Sequence, residues 1–144
     1  MIAVSQCLAG FPCRYDGGAK KDAKIEAMVR AGEAVCICPE CMGGMSTPRD
    51  PCEIQGGDGG DVLAGRARVI SCRGADCTDA YVRGANEALS ICQRAGAKKA
   101  ILKARSPSCG YGEIYDGTFS GTCKKGNGVT SALLLAHNIQ IETR

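Results

Sequence analysis

The sequence predicts an α/β fold: a single compact Rossmann-like domain over residues 1–144, with a mostly parallel sheet flanked by helices. Three observations carry this. Apolar runs of strand length alternate with segments of helical periodicity. Glycine, 20 of 144 residues, clusters in the connections, as expected where strands and helices are joined by tight, shaped loops. Three strand-like runs also each deliver a cysteine: Ile2-Ala-Val-Ser5 runs into Cys7, Ala34-Val-Cys-Ile37 into Cys38, and Ala100-Ile-Leu102 leads to Ser106-Pro-Ser-Cys109-Gly110. Ligands of open α/β sheets sit outside the carboxyl ends of the strands. If these three strands are parallel neighbours, Cys7, Cys38 and Cys109 converge on one point.

In chain order, Ile2 to Ser5 reads as the first strand. Cys7 to Lys20 is a long connection punctuated by Gly10, Pro12, Gly17 and Gly18. Lys21 to Ala31 has the apolar spacing of an amphipathic helix, with Gly32 as its stop. Glu33 to Ile37 reads as the second strand, its apolar run from Ala34 unbroken, the pattern of a strand covered on both faces. Cys38 to Gly60 reads as irregular because of Pro39, Gly43, Gly44, Pro48, Pro51 and a Gly-Gly-Asp-Gly-Gly run. A connection this long in a compact domain tends to be functional. Asp61 to Ala64 and Ala67 to Ile70 read as a ribbon folded about Gly65. Thr78-Asp79 reads as the cap of the strongest helix, whose Tyr81, Val82, Ala85, Ala88, Leu89 and Cys92 share one face up to Gly96. Lys99 to Lys103 is the third strand, Glu113 to Thr122 a small hairpin, Val129 to His137 a last helix, and Ile139 to Glu142 a closing strand.

The net charge of +3 and scattered lysines and arginines give no basic stripe for a nucleic acid. No run is long enough to span a membrane. The 11 cysteines are the outlier in this composition. Their odd number and the absence of a basic, apolar leader argue against a secreted disulfide framework, so the expected compartment is the reducing cytoplasm. Cys36 and Cys92 fit buried apolar positions. Cys52, Cys72, Cys77 and Cys123 lie in loop-like surroundings. Cys38-Pro-Glu-Cys41 suits zinc, redox pairs and iron–sulfur centres alike. There is no second such pair, and the single histidine, His137, reads as a helix-end residue. An abundance of thiolates suits iron–sulfur chemistry. Near such a centre Glu40 is the candidate general base. Asp16 either turns the chain or shares in the chemistry, and Ser106 and Ser108 either brace a turn or serve the site.

Taken together, these residues resemble the thiouracil desulfidase family, long catalogued as a domain of unknown function. The resemblance rests on Ser5-Gln-Cys-Leu8 with Gly10 and Cys13-Arg-Tyr-Asp-Gly17, and on Cys38-Pro-Glu40 with Gly43-Gly44 and Thr47-Pro-Arg49. It continues through Leu102-Lys103, Ser106-Pro-Ser-Cys-Gly110, Ile114-Tyr-Asp-Gly-Thr-Phe119 and Gly128-Val-Thr130. It implies a [4Fe-4S] cluster bound by three cysteines, with one open iron that binds the sulfur of a small thiolated pyrimidine. The implied reaction is non-redox: thiouracil and water give uracil and hydrogen sulfide. Four cysteines fall in these motifs, and the strand argument selects Cys7, Cys38 and Cys109 as metal ligands. Cys13 is left as an auxiliary residue or the alternative ligand. In that reading Glu40 is the base, Ser106 or Ser108 holds the ring or a developing charge, and Gly43 and Gly44 allow close backbone approach.

Three other functions compete. One is a cysteine-rich structural module binding zinc or a closed iron–sulfur centre. Another is thiol redox chemistry at Cys38 and Cys41. The third is sulfur transfer on thiolated tRNA, which the absence of a basic patch disfavours.

Overall fold

The computed structural model describes all residues, 1–144. Its main sheet has four parallel strands: β1 (Ile2–Ser5), β2 (Ala34–Ile37), β5 (Lys99–Leu102) and β8 (Gln140–Thr143), in the order β2-β1-β5-β8. β1 and β5 are therefore central and almost wholly buried. β2 lies at an edge, which is why Cys36 is half-buried instead of enclosed.

The helices cover both faces. After a short 3-10 turn at Gln6–Ala9, α1 (Ala23–Arg30) packs with that turn and β2. Its N-cap is Asp22, whose carboxylate accepts the amides of Lys24 and Ile25, and the chain leaves it through Gly32 at φ +73°. On the other face lie α4 (Thr78–Ala95) and α5 (Val129–Ala136), packed on each other. The largest core cluster joins them to the sheet through residues such as Ile37, Ala88, Cys92, Leu102 and Leu134. The N-cap of α4 is Cys77, one residue earlier than the sequence suggests. Asp76 accepts the Thr78 amide, and the Thr78 hydroxyl turns back to accept the Val69 amide. His137 is exposed at the C-cap of α5. No helix is long and apolar enough to cross a membrane.

Residues 38–60, expected to be irregular, and the segment that follows are more regular than the sequence suggests. They contain α2 (Pro39–Met42), β3 (Cys52–Gln55) and α3 (Gly59–Leu63). Pro39 occupies the first turn of α2, where its missing N–H costs nothing. A reciprocal capping box between Asp58 and Asp61 sets α3. The expected ribbon about Gly65 is thus corrected: residues 59–63 are helical, and β4 (Arg68–Ser71) pairs antiparallel with β3. The hairpin near the end is wider than expected, β6 (Glu113–Tyr115) pairing with β7 (Cys123–Lys125).

Two glycines fix where α2 lies. A Cβ on Gly84 of α4 would stand 1.8 Å from the Pro39 carbonyl oxygen, and one on Gly43 would stand 2.1 Å from the Ala80 carbonyl oxygen. α2 and α4 therefore meet backbone to backbone, and Arg83 adds two hydrogen bonds to the Gly43 carbonyl, at 2.7 and 3.1 Å. This contact holds Cys38 and Glu40 in place.

Candidate active site

The strand order puts the three cysteine-bearing ends side by side. Ser5 ties two of them together, its hydroxyl accepting the Lys103 amide at 2.9 Å. The loop after β5 is braced by the first turn of α5: Val129 and Thr130 donate amides to the carbonyls of Pro107 and Ser108, and the Ser131 hydroxyl donates to that of Cys109 at 2.7 Å. These ends open into a cavity of about 500 Å³, a size typical of small-molecule sites. Cys7, Cys13, Cys38 and Cys109 all line it, with Glu40, Ser106 and Ser108. No three His, Cys, Asp or Glu side chains are grouped so as to hold a single metal ion.

Their protonation is graded. The neighbouring Cys13 thiol lowers both Cys7 and Cys38, Cys38 to about 6. The same two neighbours, with burial, push Cys13 upward. Burial pushes Cys109 up to about 12, although Ser108 works the other way, its hydroxyl 3.7 Å from the Cys109 sulfur. The Ser106 hydroxyl accepts the Cys109 amide at 2.7 Å, which leaves its own proton free toward the cavity. Ser108, 1% exposed, is enclosed by Thr130 and Cys109.

Glu40 is held by the guanidinium of Arg49, nine residues on in the chain. Arg49 donates to one Glu40 oxygen from Nε at 2.7 Å and from Nη2 at 2.6 Å. It also donates to the carbonyls of Cys13 and Ser46 and to the Thr47 hydroxyl. Both side chains are largely shielded from solvent, Arg49 at 6% and Glu40 at 14% exposure. Burial disfavours the arginine's charge, but Glu40 more than offsets this and its pKa is raised. Tyr81, on the buried face of α4, reaches the cavity beside Glu40 and Cys52. Burial first, then the charge of Glu40, keeps it a phenol. Arg14 and Lys103 also stand in the wall.

Three candidates lie outside the lining. Asp16 is exposed and accepts the Gly18 amide at 2.8 Å, the geometry of a turn. Gly43 faces α4, and Gly44 follows it at φ +91°. Conversely, Arg49, Tyr81 and Glu53 belong to the cavity. Only Arg49 carries a sequence signal, as the end of Thr47-Pro-Arg49. Tyr81 reads as helix core, and Glu53 lies in a stretch with no clear period.

A parallel-sheet α/β domain with a thiol-lined cavity at its strand ends belongs to the class of proteins that do soft-metal or sulfur chemistry on a small ligand. More specifically, the sequence profile of 2-thiouracil desulfurase matches residues 2–144, and the chain belongs to that family. It is 50% identical over 134 residues to the protein called Uncharacterized protein YbbK of Bacillus subtilis (strain 168), covering 93% of this chain and 89% of that one. It is also similar to a solved structure titled [4Fe-4S]-dependent thiouracil desulfidase TudS. There the TM-score is 0.88 at 42% identity, covering 99% of this chain and 89% of that chain.

Proposed function

We propose that this protein converts a thiolated pyrimidine and water to the oxygen analogue and hydrogen sulfide, as thiouracil to uracil. It does so with a [4Fe-4S] cluster held by Cys7, Cys38 and Cys109 and one iron left open. The observation that carries this is the strand order β2-β1-β5, which brings three cysteines from distant parts of the chain to one cavity. The donor set fits the cofactor: six thiols line the cavity, with no imidazole, two of them (Cys7 and Cys38) have lowered pKa values, and Arg14 and Lys103 stand by to balance an anionic centre. When bound, the cluster supplies a soft Lewis acid for the substrate sulfur.

The chain's own residues supply the rest. Glu40 takes a proton from the attacking water as its oxygen bonds to the ring carbon. It returns that proton to the departing sulfur and passes on the remaining hydroxyl proton as the carbonyl forms, so one water accounts for the new carbonyl oxygen and both hydrogens of the sulfide. Arg49 fixes the carboxylate before the substrate arrives, the pre-organisation such a step needs. Ser106 offers its hydroxyl proton to a ring oxygen or a developing charge. Ser108 and Ser131 hold Cys109, and Cys13 supports Cys7 and Cys38. A cavity of this size favours a small substrate over a polyanion.

The test is protein purified without air, analysed for iron and acid-labile sulfide, and assayed for sulfide release from a panel of thiolated pyrimidines. Release that tracks iron content supports the proposal. Release that survives iron removal, or returns with zinc alone, refutes it.

A further inference from the structure

A second carboxylate in the cavity has no role in the chemistry above. Glu53 lies on β3 and is 8% exposed, between the buried Cys52 and Ile54. Its Oε1 accepts the amides of Gly117 at 2.9 Å and Phe119 at 3.1 Å. No arginine or lysine pairs with it, in contrast to Glu40. Its other oxygen, Oε2, has no donor from the protein. Since no buried side-chain oxygen is left without a partner, Oε2 is the part of Glu53 that reaches open space, and Glu53 lines the cavity. A carboxylate nine-tenths buried, aimed by two backbone amides and free at one oxygen, is a pre-organised acceptor for a ligand N–H.

We propose that Glu53 Oε2 accepts a hydrogen bond from the ring N3–H of the pyrimidine and makes that N–H a requirement for substrates. The assignment rests on the thiolated-pyrimidine reading above. N3 is bonded to the sulfur-bearing carbon in both 2-thiouracil and 4-thiouracil. It also keeps its hydrogen when N1 carries a sugar, so one acceptor serves both isomers, as bases or nucleosides. A carboxylate cannot donate. It therefore repels a ring nitrogen with a lone pair, as at N3 of 2-thiocytosine, and leaves no room for a methyl group at N3. Sites built to bond a substrate N–H can reject analogues lacking it by about 10⁴-fold or more. Glu53 also anchors the 116–122 segment, whose Phe119 and Gly121 line the same cavity, so recognition of the ring is coupled to the placement of that wall.

The test uses cluster-loaded protein with thiouracil, its 1-methyl and 3-methyl derivatives and 2-thiocytosine, and measures calorimetric binding of the product uracil. The 1-methyl compound keeps kcat/KM within a few-fold, and the 3-methyl compound loses about 100-fold or more. Glu53→Gln keeps its iron and an oxygen for Gly117 and Phe119, but binds uracil about 10–100-fold more weakly. It gains affinity for 2-thiocytosine, because the amide N–H now meets the N3 lone pair. Structural damage alone does not produce that exchange of preference. Equal turnover of the 3-methyl compound, or loss of both ligands in Glu53→Gln, overturns the assignment while leaving the desulfurisation reading intact. If the loaded wild-type protein releases no sulfide and binds no uracil, that reading falls and the assignment falls with it.

Discussion

Arg49 and Glu40 form a largely shielded pair in which Nε and Nη2 of one guanidinium both reach the same carboxylate oxygen. Removing one partner of such a pair strands the other's charge. Arg49→Met is expected to lower stability by about 3–5 kcal/mol, measured by urea unfolding of cluster-free protein. Arg49→Lys keeps a charge but loses the fork, and with it the contacts to Cys13, Ser46 and Thr47. It should fold and still lower turnover by about tenfold or more. Unchanged turnover in Arg49→Lys would show that the orientation of Glu40 is unimportant.

Glu40→Gln separates acid–base work from metal binding. The variant should keep its iron content and colour while turnover falls about 10²–10⁴-fold. Iron analysis and sulfide release are measured on the same preparation. Near-normal turnover removes Glu40 from the mechanism, and loss of the cluster makes it a structural residue or a ligand.

Cysteine variants assign the ligands. Cys7→Ala, Cys38→Ala and Cys109→Ala should each lose most of the iron. Cys92→Ala, at a fully buried core position, and Cys36→Ala, on the edge strand, should retain it. Cys92→Ala should cost about 1 kcal/mol of stability through lost packing. The decisive comparison is Cys13→Ala: full iron in Cys7→Ala with none in Cys13→Ala exchanges their roles.

In cluster-free protein, Cys38 should be the thiol that alkylating reagents modify first. The thiolate is the nucleophile. With its pKa lowered to about 6 by the neighbouring Cys13 thiol, Cys38 is mostly ionised at neutral pH and becomes protonated as the pH falls through that value. Cys109, pushed up to about 12 by burial, stays a thiol until well above neutrality. Peptide mapping after brief iodoacetamide treatment at pH 5 and pH 8 should show modification of Cys38 rising with pH and Cys109 unmodified. In Cys13→Ala the Cys38 profile should move to higher pH. A profile that stays put would remove Cys13 as the cause.

Gly84→Ala tests the helix contact that carries Glu40. The new Cβ meets the Pro39 carbonyl oxygen at 1.8 Å, a backbone atom that no rotamer change can move aside. α2 has to move, at an expected cost of about 1–3 kcal/mol. Thermal unfolding measures that cost. Wild-type stability with wild-type turnover would mean that α2 and α4 separate freely.

The parallel sheet and its three cysteines are legible in the sequence because each strand is a short apolar run closed by turn signals, and topology does the rest. The long periodic helix ending at Gly96 is equally plain. The segment from Cys38 to Leu63 is not, for a physical reason. α2 and α3 are four and five residues long, too short to show a period, and are set by Pro39, by the Asp58–Asp61 box and by contact with the rest of the fold. β3 hides among glycines and prolines and is identified only by its partner β4. The site divides along the same line. Cys7, Cys38, Cys109 and Glu40 follow from strand ends, whereas Glu53 and Tyr81 enter the cavity through tertiary placement alone. Gly43 reads as a ligand-facing glycine, but the space left by its missing side chain is filled by the backbone of α4.

The bracing of the Cys109 loop by the first turn of α5 bears on how the protein is made. The amides of Val129 and Thr130 and the hydroxyl of Ser131 hold Pro107, Ser108 and Cys109, so the third thiol is set only once the C-terminal helix has docked. A nascent chain emerging from the ribosome offers Cys7, Cys13 and Cys38 long before that. It has thiols but no finished cradle. On the proposed ligand set, a cluster meets a complete cradle only once the last helix is docked, which would place loading at the end of folding.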